Sequence, residues 1–523
     1  MSLFVLLCTV AYASSLDNLE VGGAWGTPTA TNPTAAWWNP GGLAIRDGFQ
    51  LYVEGAPTVA GVKVVRDNPD YGTIDPANAL DLDGDGDDEL TYDYGGEERF
   101  TYSGVAPFVG ASFSTHGFGI GAALAVPTAR GGSSDQEMGP SRYALRDGDI
   151  TAIHAILGLA YDIADKVAIG ATGSFVSSRW DANIDTEVFS SYGPAFRDQL
   201  SNETINATYQ SGYIEDPSYT TTLDFDVLTD TTWTFGTGVL IHPIDKLDIG
   251  IAYNHGISVV NEGDVALHFS CPPLNDGAST LAAGLTGTCI TDPDSGERVP
   301  ATLNGTSSVG YSLPGRLHLG VALRPSDPLR LELFGAWVRW SAFTEYDIYT
   351  NIPSSAVPVE DPVLAQFTSD LVSQHRAWAR DNVDTFFVAF DTKVEPTEKL
   401  TLGGRVMYDH GAVPSAAMSA NNFDMPSIIP SIMGQFRPSK AVGIGASWGH
   451  TFMTKRVITD SAFAIFTSEN YPPEPGRYFW PESNGTYTGH IDRFGVSLMV
   501  GLGGEKDPVK RADPKKKPDP GPR

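Results

Sequence analysis

From Gly48 onward the chain is written in a period of two. Val167, Ile169 and Ala171 alternate with Ala168, Gly170 and Thr172, and Leu247, Ile249, Ile251 and Tyr253 with Asp248, Gly250, Ala252 and Asn254. Leu317, Leu319, Val321 and Leu323 alternate with His318, Gly320, Ala322 and Arg324. Phe494, Val496, Leu498, Val500 and Leu502 do so with Gly495, Ser497, Met499 and Gly501. Such alternation marks β-strands with two unlike faces. The second face has neither the Lys and Glu of a solvated sheet nor the bulk of a packed core. It is mostly Gly, Ala, Ser and Thr, with occasional charges.

The connections alternate as well. Short turns rich in Pro, Asp and Lys lie at 114–117, 162–166, 242–246, 324–328, 395–399 and 437–440, between long polar stretches such as 181–229, 261–313 and 344–382. The pattern predicts strands at 48–60, 98–114, 117–128, 149–162, 166–180, 230–242, 246–260, 314–325, 328–343, 383–395, 399–411, 428–437, 441–455 and 488–502. An even number of strands, with short turns at one end and long loops at the other, describes an all-β, 14-stranded antiparallel transmembrane β-barrel of a Gram-negative outer membrane. Closure is required because hydrocarbon offers no partner to an unpaired ladder N–H. Trp180, Trp233, Trp337, Trp340, Trp448 and Phe452, near strand ends, suit the interfacial girdles, and each taken singly fits loop packing equally well.

A barrel of this size encloses a channel unless something fills it, and walls of Gly and Ala leave more room still. The segment ahead of the first strand is the natural filler. Residues 32–44 (NPTAAWWNPGGLA) combine two Asn-Pro pairs, Trp37-Trp38 and Gly41-Gly42, turn chemistry that fits neither a long helix nor a ladder strand. Residues 14–47 are therefore read as a hatch entering the lumen from the periplasmic side, and residues 48–503 as the barrel. A plugged barrel conducts selectively and is not a general porin.

Composition narrows the class further. No run of about 18 apolar residues follows the first segment, which argues against a helical membrane protein. A net charge of -29 removes nucleic acid as a partner. Residues 1–13 are apolar and end Ala11-Tyr12-Ala13, and read as a signal peptide. Cys8 lies within it, leaving Cys271 and Cys289, expected as a disulfide in an oxidising compartment. Residues 504–523, with Lys515–Lys517 and repeated prolines, read as a disordered basic periplasmic tail.

Candidate chemistry is sparse. Asp81, Asp83 and Asp85, followed by Gly86, form the first half of a calcium loop, but Tyr92 stands where the bidentate Glu belongs. The stretch reads as a solvated acidic surface loop, with a weak structural calcium site as the alternative; no cofactor is required. Arg316, His318, Lys393, Arg405, Asp409 and Arg493 fall on the inward parity of their strands. A cation there can pair with a carboxylated ligand, or with a carboxylate of the protein. No catalytic motif stands out, so an enzyme is not expected.

Three stretches resemble the FadL family of outer-membrane transporters for long-chain fatty acids and related hydrophobic compounds. Residues 37–44 (WWNPGGLA) are similar to its hatch motif. Residues 313–325 (LPGRLHLGVALRP), running on to 338–343 (VRWSAF), are similar to its mid-barrel hairpin, and 399–409 (KLTLGGRVMYD) to a late hairpin. Gly41 stands where the family has Ala, and Leu16 and Leu19 where it has an early Phe. The resemblance implies passive uptake by a monomer surrounded by outer-membrane lipid and lipopolysaccharide. Cargo, a long-chain fatty acid or another hydrophobic small molecule, is caught among extracellular loops 181–229 and 261–313. It then meets a pocket over the hatch, formed here by Leu16, Leu19, Trp25, Trp37, Trp38, Asn39, Pro40, Gly41, Gly42 and Leu43. Release is sideways through a kink in the third strand, here placed at Gly117, Gly119, Gly121 and Pro127, since Gly and Pro weaken pairing. The alternatives are an adhesin or receptor using its long loops, and an outer-membrane lipid hydrolase.

Overall fold

The computed structural model describes residues 18–67, 95–187, 220–269, 289–291, 298–373, 375–461 and 483–502. The signal peptide, Leu16, the acidic loop with Asp81, Asp83 and Asp85, Cys271 and its proposed bond, and the tail at 504–523 lie outside the described residues.

Fourteen antiparallel strands close into one barrel. In chain order they are β1 (Gly48–Arg66), β2 (Gly96–Thr115), β3 (Phe118–Ser134), β4 (Asp147–Ile163), β5 (Val167–Glu187) and β6 (Thr220–Ile244). β7 runs in two parts, Leu247–Asn254 and Ile257–Phe269. So do β8 (Thr302–Leu313, Arg316–Ser326), β9 (Leu329–Val338, Glu345–Asn351) and β10 (His375–Ala379, Thr385–Thr397). β11 (Leu400–Asp409), β12 (Ser427–Ser439), β13 (Val442–Met453, Arg456–Ile458) and β14 (Gly485–Leu502) complete the wall. The ring closes where β1 pairs with β14, from Phe49↔Leu502 to Arg66↔Gly485. The turn between β2 and β3 uses two left-handed residues, His116 (φ 51°) and Gly117 (φ 79°), the geometry whose twist suits a two-residue hairpin.

The period of two sorts the faces as expected. Leu319 and Val321 stand 50% and 47% exposed on the outside, whereas His318 and Ala322 beside them are buried. The strands, however, run further than the sequence reading allowed. β5 and β6 extend into 181–229, β7 and β8 into 261–313, and 344–382 carries the upper halves of β9 and β10 with helix α2 (Pro362–Val372). Above the bilayer the outer face meets water, so Asp and Thr replace the apolar residues and the alternation fades while the ladder continues. Trp180 and Trp340 are corrections too. Both are buried, so neither belongs to a girdle; Trp233, Trp337, Trp448 and Phe452 do face outward.

The core is the lumen. Leu19, Val21, Ala35, Trp37, Trp38 and Leu43 of the N-terminal segment pack in one apolar cluster with inward wall residues such as Tyr52, Phe108, Ile156 and Phe334. α1 (Ala35–Trp38) and two single 3-10 turns, Gly23–Trp25 and Pro40–Ala44, are its only regular structure among the described residues.

Candidate functional site: the hatch, the wall and the gap

The hatch is locked by its own turn chemistry before it meets the wall. Trp38 Nε1 donates to Val21 O at 2.7 Å, and Asn39 Nδ2 donates to Pro28 O at 2.9 Å, folding the segment back on itself. Asn39 Oδ1 accepts from Gly41 N at 3.2 Å, and Nδ2 also reaches Val239 O on β6 at 3.0 Å. One asparagine thus closes the turn and pins it to the barrel.

Small wall residues let the hatch backbone come close. A Cβ on Gly250 would stand 2.1 Å from Pro28 O, and one on Gly119 would stand 2.4 Å from Leu43 O. Gly121 similarly makes room for the Leu43 side chain. Gly119 and Gly121 remain fully paired with Ser114 and Ser112, so these glycines fit the hatch and do not loosen the strand. Gly117 lies in the turn.

Charge supplies the main anchor. Glu20 is held between two wall arginines: Arg405 Nη1 at 3.2 Å from Oε1 and Arg493 Nη1 at 2.9 Å from Oε2. Arg405 also donates to Ala24 O at 3.1 Å and to Asp391 at 2.9 Å, while Arg493 donates to Glu20 O at 3.2 Å. Burial raises the Glu20 carboxyl, but the two guanidinium charges outweigh it and hold the group below its ordinary value. Lys393 pairs with Asp391 at 3.4 Å and lies over the Trp25 ring. Lys393, Arg405 and Arg493, read from the sequence as partners for a ligand carboxylate, are thus engaged by the protein's own carboxylates. His318 packs edge-on against Trp38, 5.1 Å between ring centres. The Arg316 guanidinium lies 5.5 Å from the Trp37 ring, beside a cavity of about 30 Å³ bounded by Trp37, Pro127, Thr128, His154, Asn254 and Phe235.

β3 opens the wall. Its ladder with β2 is intact from Thr115↔Phe118 to Phe108↔Ala125 and resumes only at Thr101↔Ser133. Between these points Ala125 to Arg130 are buried without alternation, so the strand has turned into the lumen. Of the residues assigned to this opening, only Pro127 lies in it. The hatch meets the freed backbone: Asn18 N donates to Pro127 O at 2.8 Å and Asn18 Nδ2 to Val126 O at 3.0 Å. The sequence reading missed Asn18, which no motif marks. It also missed His154, although the inward parity that singled out Arg316 would have found it.

At the end away from the short turns, an aromatic chamber was not foreseen either. Tyr346 stands 5.7 Å from Trp180, 6.0 Å from Trp378 and 5.0 Å from Phe343, with the Arg380 guanidinium 4.3 Å from its ring.

A closed barrel stoppered by its own N-terminal segment, with a side gap held by that stopper, defines an outer-membrane transporter for hydrophobic compounds. The chain belongs to the outer membrane protein transport protein family (OMPP1/FadL/TodX), which it matches over residues 13–469. It is similar in fold to a Pseudomonas aeruginosa FadL homologue, with TM-score 0.68 and 16% identity over 94% of this chain and 100% of that one. The P. putida toluene transporter TodX gives 0.60 and 14% identity, over 93% and 99%. The CymD monoaromatic hydrocarbon channel gives 0.54 and 12%, over 90% and 93%. No curated protein sequence gives a match.

Proposed function

We propose that the protein carries long-chain fatty acids passively across the outer membrane. Arg316 is the observation that carries the reading: it is the wall cation beside the cavity over the hatch, backed by Trp37. A guanidinium in a poorly hydrated site recognises a carboxylate strongly. The acyl chain then needs an apolar way out, and the gap at β3 leads into the bilayer instead of into water. An apolar chain gains nothing from periplasmic water, so no energy source is needed.

Reconstituted vesicles test this with labelled oleate and toluene. Arg316→Met should weaken oleate uptake and leave toluene uptake unchanged. Equal loss of both, or of neither, counts against carboxylate recognition.

A second reading, small aromatic hydrocarbons, is supported by the Trp37, His154 and Phe235 rings that line the cavity and by the toluene and monoaromatic channels of similar fold. Toluene uptake without oleate uptake would select it.

A further inference from the structure

The wall is interrupted a second time, on another side of the same cavity. β6 pairs with the lower part of β7 up to Gly236↔Asn254, and with the upper part only from Thr229↔Glu262. Residues 230–235 therefore face 255–261 without ladder pairs, apart from one bond, His255 N to Phe235 O at 2.9 Å. Side chains take over where the ladder stops. Thr234 Oγ1 donates to His255 O, and Val260 N donates to Asp230 Oδ2, both at 2.9 Å. Just above, Val227 adopts φ 24° where the register slips, a conformation that costs a β-branched residue energy.

In a bilayer, unpaired backbone groups are expensive. An interruption at which the His255 C=O and the Val260 N–H of β7 are met by Thr234 and Asp230 of β6 is a built opening and not a frayed edge. Its outward rim carries Trp233, Val260 and Phe235, exposed by 73%, 52% and 50%, with the His255 ring stacked on Phe235 at 4.8 Å between centres. Its inner side is the cavity already described, whose walls include Thr234, Phe235 and His255 here and Pro127 and Thr128 at the β3 gap, with Trp37 between. The two interruptions begin at similar heights, each about 25 Å along the strand from its short turn.

We propose that the break between β6 and β7 is a second lateral portal, through which a small hydrophobic molecule dissolved in the bilayer exchanges with the cavity at Trp37. The proposal rests on the hydrophobic-transport reading and extends it. The β3 gap is tied to the hatch through Asn18. The described contacts of Asp230, Thr234, His255 and Val260 across the second break are with one another and with neighbouring wall residues, while at its lower edge Asn254 Nδ2 donates to Trp37 O at 3.0 Å, so the docked hatch borders this portal without bridging it.

The test uses the full chain in phospholipid vesicles and a membrane-dissolved iodophenyl diazirine, with cross-linked peptides mapped by mass spectrometry. One disulfide, A106C/V126C, staples β2 to β3, since both side chains lie in one small cluster at that gap. A second, D230C/V260C, staples the β6–β7 break. Labelling of Trp37 and His154 is expected to persist when β3 alone is stapled, to be lost when both staples are closed, and to return on reduction. Loss with the β3 staple alone, or persistence with both closed, overturns the portal. Return on reduction also controls for folding. If a doubly substituted chain does not assemble, Thr232→Trp in the A106C/V126C background replaces the second staple with the same expected loss. Toluene or oleate uptake by the wild-type chain, measured alongside, tests the transport reading separately. Uptake without cavity labelling sinks the portal alone, whereas absence of uptake sinks the reading beneath it.

Discussion

Arg405 reaches from β11 into the lumen and sets its guanidinium 3.2 Å from the carboxylate of Glu20, 385 residues away in sequence. Arg405 is fully buried, and the same group binds two hatch carbonyls and Asp391. Removing one partner of a buried pair leaves the other uncompensated, at a cost of about 3–5 kcal/mol. Arg405→Met should therefore weaken hatch docking by about that amount while leaving the barrel closed. Protease sensitivity of residues 18–45, with the barrel still migrating as a folded species on a gel, is the measurement.

The same anchor gives a pH dependence of definite sign. Glu20 is held below its ordinary value of 4.5, so its contribution to docking is complete above that value and is lost as pH falls through the lowered one. Planar-bilayer conductance should be quiet near neutral pH and rise in acid. In Glu20→Gln the rise should disappear. A neutral-to-basic rise would contradict the sign.

Asn18 ties the hatch to the β3 gap. Asn18→Ala keeps the backbone bond to Pro127 O but removes the side-chain bond to Val126 O and the Oδ1 that accepts from Glu20 N, a change of about 1 kcal/mol per bond. A spin label at residue 128 should gain mobility in this variant, whereas one at residue 234 should not.

Gly250 tests the fit of hatch to wall. A Cβ there would fall 2.1 Å from Pro28 O, a backbone atom that cannot swing aside. Gly250→Val should expel the hatch from its seat without preventing barrel assembly, because β7 tolerates a β-branched residue well. Raised conductance with unchanged strand content by circular dichroism is expected. Gly173→Val, at a position with nothing within 4 Å, serves as the neutral control.

The strands were legible because the bilayer imposes a simple rule. Every outward residue of β8 between Leu317 and Leu323 must be apolar, every inward one need not be, and the period of two follows. The hatch was legible for a local reason, since the Asn-Pro and Gly-Gly turns at 32–44 allow little else. Above the bilayer that rule lapses, which is why Trp180 and Trp340 looked like girdle residues and proved to be buried.

What tertiary structure decided is pairing between residues far apart in sequence. Parity put Lys393, Arg405 and Arg493 inside the barrel, but only the folded structure shows that Glu20 of the hatch claims the two arginines and that Lys393 pairs with Asp391. Likewise Pro127 permits a bend, yet the turning-in of β3 depends on Asn18, and the β6–β7 break on Asp230 and Thr234. Periodicity is a property of one strand against lipid and can be read along the chain. A gap in a wall is a relation between two strands and whatever satisfies their free backbone groups, and that relation exists only once the barrel has closed.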